Sequence, residues 1–524
     1  MKHLQILAFL FIGLISWSQE PNPDRALKVV LPDVAFPFHP LVAETSVASQ
    51  VFSGLFEGLL DLDPSTLAPV PAIAEAWTFS RDGKILTLKL RPNIKYSDGS
   101  PLVAQDFLES WKVLLEPRGN RSFATLFDDV VNAVEYRTGK ITDFSQVGVS
   151  VNGPSEIVIR LVRPAPHFLS ILAHYSFHPV HSSIRNSRNP SITSLICNGP
   201  YKVKSFAGKR LIMERNPNYW DRANVAIAQV EIQFTDDSEN VTRAYSRGEV
   251  DWIDGVFDGD FVINRENIVV AASFASSYFY FNSAQAPYSD YRVRRALALL
   301  VDPQALREEQ ILGTTALIPP IPPYTLAQGI DERNQEEAER LLAESGFPLG
   351  RGLPELKFFI PEEGEILQRM VKVLEKSWEK YVKVAIVTSP WSQYHERTKT
   401  EDFTVAYQSW IGDFPDPLTF LLMWETGSSL NTARFSDPEY DRLLEESRGK
   451  TRINERFQVL GRAENYLLQR AALIPVAFGA SFHLIDRANV GGWFPNPLDF
   501  HPFKRMFFQA RRALPNLAMA FPGF

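Results

Sequence analysis

Eight short runs of β-branched and aromatic residues, separated by helical stretches, set the strongest limit on what this chain can fold into. They are "ALKVVLP" (26–32), "ILTLKL" (85–90), "EIVIRLV" (156–162), "QVEIQF" (229–234), "SYFYFN" (277–282), "ELKFFI" (355–360), "VKVAIVT" (382–388) and "FTVAYQSW" (403–410). Branched side chains with partial alternation suit a pleated surface that is buried on at least one face. Between them, "EILQRMVKVLEKSW" puts Leu367, Met370, Val371, Leu374 and Trp378 on one stripe of a 3.6-residue repeat, as in a helix packed on one side. "PDPLTFLLMW", "DPEYDRLLEES" and "NERFQVLGRAENYLLQ" read as further helices. Asp437 reads as an N-cap, with Pro438 at the first helical position. The pattern is mixed α/β throughout, with no repeat at a period of 20–50 residues. "LIPPIPPYT" (317–325) is expected to be a surface loop. A chain of 524 residues is expected to divide into two or three lobes.

The first residues, "MKHLQILAFLFIGLISWSQEP", have the layout of a secretory signal: a basic start, an apolar run from Leu4 to Ile15, and a small-residue site at Ser16-Trp17-Ser18. The run is too short to span a bilayer, and cleavage is expected after Ser18. No cysteine lies near that site, so lipoprotein anchoring is not expected. The single cysteine, Cys197, cannot form an intramolecular disulfide, so an exported chain of this kind must be held by its core. Cys197 is expected to be a small buried residue. The tail "RRALPNLAMAFPGF" is expected to be a poorly ordered extension. Lys and Arg total 54 against 61 Asp and Glu, and no basic run occurs, which argues against nucleic acid as the main partner.

Catalytic signatures are missing. There is no H-E-x-x-H, G-x-S-x-G, P-loop or G-x-G-x-x-G pattern, and Cys197 is followed by Asn-Gly-Pro, which is no nucleophile motif. One cluster stands out: "PAPHFLSILAHYSFHPVHSS" holds His167, His174, His178 and His181. His174 and His178 have the i, i+4 spacing of a metal pair on a helix, but Pro179 adjoins them and no carboxylate or cysteine lies nearby. They are either turn and interface histidines or a transition-metal pair.

A series of stretches along nearly the whole chain carries a resemblance. They include "SQVFSGLFEGLLDLDP" (49–64), "YSDGSPLVAQDF" (96–107), "CNGPYKVKSF" (197–206), "MERNPNYWD" (213–221), "YSDYRVRRALALLVD" (288–302), "WIGDFPDPLTFL" (410–421) and "YLLQRAALIPVAF" (466–478). In this order the chain resembles the large periplasmic solute-binding proteins of ABC importers for oligopeptides and dipeptides, family 5. The resemblance implies an α/β fold: a two-lobed periplasmic-binding-protein type II clamp with an additional third domain. Lobe I would comprise 19–48, 161–270 and 479–524, the added domain 49–160, and lobe III 271–478. Closure would be a domain rotation stabilised by ligand contacts with both sides.

The resemblance also implies a site. An extended peptide would lie between the lobes and pair its backbone with Glu44-Thr45-Ser46 on one side and Ser409-Trp410-Ile411 on the other. The acid of the W-x-x-D motif, Trp410-Ile411-Gly412-Asp413, would meet the peptide's α-ammonium. Asp416, followed by Pro417, suits a helix entry better. Trp391 and Tyr278 match pocket aromatics. Several positions depart from the family pattern. Tyr407 and Thr398 stand where oligopeptide binders have arginines, although Arg397 is adjacent; Phe123 and Gly479 stand where tyrosines are found; and Ala275 and Ile411 replace a cysteine pair. Amine capture is therefore expected, with few cations left for a ligand carboxylate. The expected role is a non-enzymatic receptor without a cofactor. It would be a periplasmic monomer that hands peptides to the transmembrane subunits of an ABC permease and their ATPases. A non-peptide solute (a metal chelate, haem or a cationic metabolite) and a chaperone-like role remain the alternatives.

Overall fold

The structure, a computed structural model, describes residues 25–509 apart from 118, 120, 188, 363 and 429. The expected export signal and the tail from Arg511 lie outside the described residues.

Ten strands form one continuous sheet. Its centre is a pair of long antiparallel strands, Ile268–Phe281 and Leu473–Ile485, the first and second crossing strands. On one side follow Val405–Ile411, Leu356–Pro361 and Val384–Ser389. On the other follow Trp252–Asp254, Leu27–Leu31, Gln229–Phe234, Arg210–Arg215 and Tyr201–Ala207. Each crossing strand thus serves two half-sheets, one per lobe. "SYFYFN" is the end of a strand much longer than its composition implies, and Leu473–Ile485 was not anticipated as a strand at all. The expected lobe boundaries at 270/271 and 478/479 fall inside these two strands.

Midway along the pair the register shifts, with three residues between Ala272 and Ser276 set against the single Gly479 between Phe478 and Ala480. Such a bulge bends and twists a strand pair. A Cβ on Gly479 would collide with Ser273 Oγ and press on the Ala275 methyl. Gly479 is therefore a packing requirement of the crossing and not a contact in the cleft described below, which corrects its expected ligand role.

A separate four-stranded sheet, Ala74–Phe79, Ile85–Leu90, Glu156–Arg160 and Val149–Val151, forms an added layer. Its core is continuous with that of the neighbouring half-sheet through Phe107, Trp111, Phe127 and Phe168. The expected boundary at 48/49 falls inside the helix Ser46–Leu55, whose Gly54 sits against Met213 and Phe503. A division there would cut one continuous element.

The helical stripe appears as read. Glu365–Trp378 is a helix, and its buried residues are Leu367, Met370, Val371, Leu374 and Trp378. Trp378 stacks on Phe358 at 5.5 Å, and its Nε1 donates to the Leu297 carbonyl at 2.8 Å, so its one polar atom is satisfied in the core. Asp437 caps the helix Pro438–Arg448 by accepting from the Glu439 and Tyr440 amides. Cys197 is buried and free.

The proline-rich stretch departs from expectation. Leu317, Ile318, Ile321 and Tyr324 are buried. The stretch is drawn inward by Glu464, whose Oε1 accepts from the Leu317 and Ile318 amides at 2.8 and 2.9 Å and whose Oε2 accepts from the Tyr324 hydroxyl. Burial raises the Glu464 carboxyl to about 7, against the pull of those three donors. A carboxyl whose folded pKa exceeds its unfolded value near 4.5 stabilises the fold below that value and loses the contribution as pH rises towards 7. Glu464→Gln keeps an oxygen for both amides. It is expected to leave stability near wild type at pH 5 and to raise it by at least about 1 kcal/mol at pH 8. Urea melts at the two pH values check this.

Candidate functional site

A cleft opens between the two half-sheets. One wall is the start of the helix Ser46–Leu55 with Glu44, Thr45, Phe123 and His174; the other is the turn Ile411–Pro415; the floor is the alternate residues Leu498, Phe500, Pro502 and Lys504. Thr45 is extended and caps the helix, its Oγ1 accepting from the Ala48 amide at 3.1 Å. Ser46 is already helical, so of 44–46 it departs from the strand-like backbone expected there, while Thr45 keeps it.

The opposing turn is shaped by Gly412. Its amide donates to the Phe274 carbonyl at 2.8 Å, and a Cβ there would lie 2.5 Å from the Phe274 ring and 2.7 Å from the Thr419 methyl. Only glycine lets the chain pass so close. Asp413 follows, with its amide donating to Thr419 Oγ1 at 3.2 Å. The side chain is reachable by solvent, yet it stands between the walls of the cleft, and the protein around it raises its carboxyl to about 6. Among the described residues no cation pairs with it.

Asp416 behaves differently. It is buried, its Oδ1 accepts from the Leu418 amide at 2.9 Å, and its carboxylate forms a two-pronged pair with Arg456, itself 3% exposed. The helix-start reading therefore holds, and an ion pair to a residue far along the chain is added to it. The helix that follows is short, Leu418–Leu421 passing into a 3-10 turn Leu422–Trp424.

The cleft is acidic. Glu44, Glu57, Asp61 and Asp413 line it against a single lysine, Lys504. Lys504 Nζ lies 2.6 Å from both Glu57 Oε1 and Asp61 Oδ2. Burial works to lower this ammonium, but Asp61 and Glu57 outweigh it and hold its pKa well above the usual range. Glu57 also accepts from the Tyr219 hydroxyl and the Trp220 indole. Nothing in the local sequence marks Glu57, Asp61 and Lys504 as partners, because they meet only across the fold. Burial lowers His174 to about 3 and His178 to about 4, so both are neutral. Arg397 turns to Glu401 at 2.8 Å, and Thr398 is fully buried, its hydroxyl bonded to the His395 carbonyl. Neither supplies a cation to the cleft.

Of the remaining expected residues, Ser409, Trp410, Tyr407 and Trp391 border a shallow groove that adjoins the cleft along the strand Val405–Ile411. This strand pairs with the first crossing strand from Val405 to Ile411, whereas on its outer edge it pairs with Leu356–Pro361 only at Val405 and Ala406. The backbone of Tyr407 is taken by the Tyr394 hydroxyl, which accepts from its amide at 3.0 Å and donates to its carbonyl at 2.7 Å, so residues 408–411 present the edge without a strand partner, the geometry needed to accept an extended chain. Tyr407 is held by its ring contact with Phe279 at 5.4 Å. Ala275 and Ile411 are direct cross-strand partners.

Two expectations fail. Tyr278 is 2% exposed, packed against Trp424 and Tyr280 with its hydroxyl on the Met423 sulfur, and it does not reach the cleft. Its strand is central and covered on both faces, so alternation cannot place a side chain at a surface. The His174–His178 spacing is not helical: a helix covers Phe168–Leu172, a 3-10 turn covers Tyr175–Phe177, and the two histidines flank the turn. His174 Nδ1 pairs with Ser176 Oγ at 2.8 Å, and His167 pairs with Asp129. Among the described residues this cluster forms no group of three metal donors.

Two half-sheets joined by a pair of crossing strands, an added domain, and a cleft at the crossing define a type II solute-binding clamp. Residues 68–432 match the model of the bacterial extracellular solute-binding proteins, family 5 (middle), and the chain belongs to that family. It is 29% identical over 476 residues to the periplasmic oligopeptide-binding protein OppA of Salmonella typhimurium, covering 86% of each chain. It is also 29% identical over 481 residues to the periplasmic murein peptide-binding protein MppA of Escherichia coli, covering 87% of this chain and 88% of that one. Among solved structures, the unliganded open form of the MppA periplasmic murein tripeptide-binding protein superposes with a TM-score of 0.80 at 26% identity, over 93% of this chain and 97% of that one.

The two acids of the turn are expected to separate cleanly on substitution. Asp416→Ala strands Arg456 in the core and is expected to cost about 3–5 kcal/mol of stability in a denaturant melt, whereas Asp413→Ala is expected to change stability little.

Proposed function

We propose that this protein is a non-enzymatic receptor that captures peptides between its lobes and hands them to an ABC permease. Its relatives OppA and MppA are named for oligopeptide and murein-peptide binding. The observation that carries the reading is Asp413: a carboxylate on the cleft wall, raised by its surroundings and without a cation of its own. A peptide's α-ammonium is the complement of such a group, since a desolvated charge is stable only when paired. The open edge of residues 408–411 offers backbone pairing that ignores side chains, which suits a broad range of peptides. Among the described residues of the cleft the ligand's carboxyl end meets no free cation, because Lys504 is already committed to Glu57 and Asp61. That favours peptides long enough for the carboxylate to reach solvent. The receptor would act as a monomer in the periplasm, delivered there by the signal read in residues 1–18. No helix among the described residues is long and apolar enough to cross a membrane.

Asp413→Asn is expected to weaken binding of a free peptide by about 2–5 kcal/mol in calorimetry. Peptides acetylated at the N-terminus should bind wild type weakly and the variant no worse. Equal wild-type affinity for free and acetylated peptides would refute the role of Asp413. Ionised Asp413 is the form that binds a cation, so affinity should fall as pH drops through about 6. Between pH 7 and pH 5 the dissociation constant should rise roughly tenfold, and the Asp413→Asn variant should lose this dependence.

A further inference from the structure

Behind the cleft floor, two histidines and an aspartate converge. Along 498–504 the side chains alternate. Leu498, Phe500, Pro502 and Lys504 line the cleft, whereas Asp499 and His501 turn away from it to meet His483 on the second crossing strand. His483 Nε2 lies 2.8 Å and His501 Nε2 3.0 Å from the same oxygen, Asp499 Oδ1. One donor atom from each residue lies within 4.8 Å of the others. His483 is 0% and His501 2% exposed, while Asp499 keeps a partial opening to solvent.

The close approach of His483 Nε2 to Asp499 lacks hydrogen-bond alignment, which leaves this buried nitrogen without a hydrogen-bond partner. Ligands around a tetrahedral zinc at about 2.0–2.1 Å stand about 3.3 Å apart, so the two histidine–carboxylate separations would each widen by about 0.3–0.5 Å to seat an ion. On the far side of the ring, His483 Nδ1 lies 3.3 Å from Asp254 Oδ1 and also faces the Trp252 indole Nε1 at 3.4 Å. A carboxylate behind a histidine is the arrangement that fixes ring orientation in metal sites. Trp493 stacks on His501 at 4.4 Å and immobilises that ring as well. Asp499 holds a left-handed backbone, φ 55°, uncommon for a residue with a side chain.

We propose that His483, Asp499 and His501 bind one transition-metal dication of the zinc class, with water on the exposed side of Asp499 as the fourth ligand. Two imidazoles and one carboxylate favour zinc, cobalt or nickel over calcium and magnesium, which take oxygen cages. The metal would fasten the cleft floor to a crossing strand. It would also reach the helical wall of the cleft, because the His501 carbonyl accepts from Gln50 Nε2 at 2.8 Å on the helix that carries Ser46. The site is structural and stands apart from peptide capture at Asp413.

The test strips the purified protein with a chelator and titrates it with zinc by calorimetry, with cobalt as a spectroscopic probe. Wild type is expected to bind one zinc per chain, to melt at a higher temperature with zinc, and to show the visible absorption of four-coordinate cobalt. Asp254→Asn should weaken zinc about 10–100-fold, Asp499→Asn and His501→Gln more than that with loss of the cobalt band, and His174→Gln not at all. Absence of the cobalt band from wild type overturns the proposal, as does undiminished zinc affinity in Asp499→Asn. The wild-type spectrum decides the matter even if His501→Gln fails to fold.

Discussion

The structure depends on one pairing, that of Ile268–Phe281 with Leu473–Ile485. Every strand of the large sheet is attached to one or the other, directly or through neighbours. An antiparallel pair with a bulge at its midpoint is stiff along the strands and compliant across the irregular residues, where the ladder is broken. Gly479 and Ser273 occupy the irregularity, where the close packing admits only a glycine.

The cleft lies beside this crossing, and its electrostatics follow from what surrounds it. Four carboxylates face one lysine, and that lysine is spent on two of them. Glu57 is further satisfied by Tyr219 and Trp220. The floor is therefore a network of two carboxylates gathered on one ammonium, while Asp413 on the opposite lobe is left for something else. The contrast with Asp416, three residues on, is one of partners and not of chemistry. Asp416 has Arg456 beside it and Asp413 has the cleft.

Local patterns in the sequence carried much of this, and the reasons they stopped short are physical. The stripe Leu367–Trp378 was legible because one face of that helix is buried and the other wet. The W-x-x-D stretch was legible as a motif, and Gly412 within it supplies the steric reason for its shape. Tyr278 misled because a strand covered on both faces has no polar side to give its phase. The long strand Leu473–Ile485 stayed hidden because its single residues serve two lobes in turn. Glu464, Arg456 and Lys504 could not be read at all, since their partners lie far away in the chain. The histidine-rich stretch drew attention by density, yet the histidines that share a carboxylate, His483 and His501, are eighteen positions apart and meet only because the chain doubles back after Ile485.

The alternation along 498–504 limits what mutation can do to this protein. Even-numbered residues there face the cleft, while Asp499 and His501 face the interior. Any one substitution alters a single face. Adding or removing one residue between His501 and the 3-10 turn Phe503–Arg505 cannot leave both in place: either Lys504 is carried away from Glu57 and Asp61, or Asp499 and His501 are drawn off His483. The spacing of this short segment is therefore held more tightly than the identity of any one of its side chains, and a length change of a single residue would undo binding surface or scaffold.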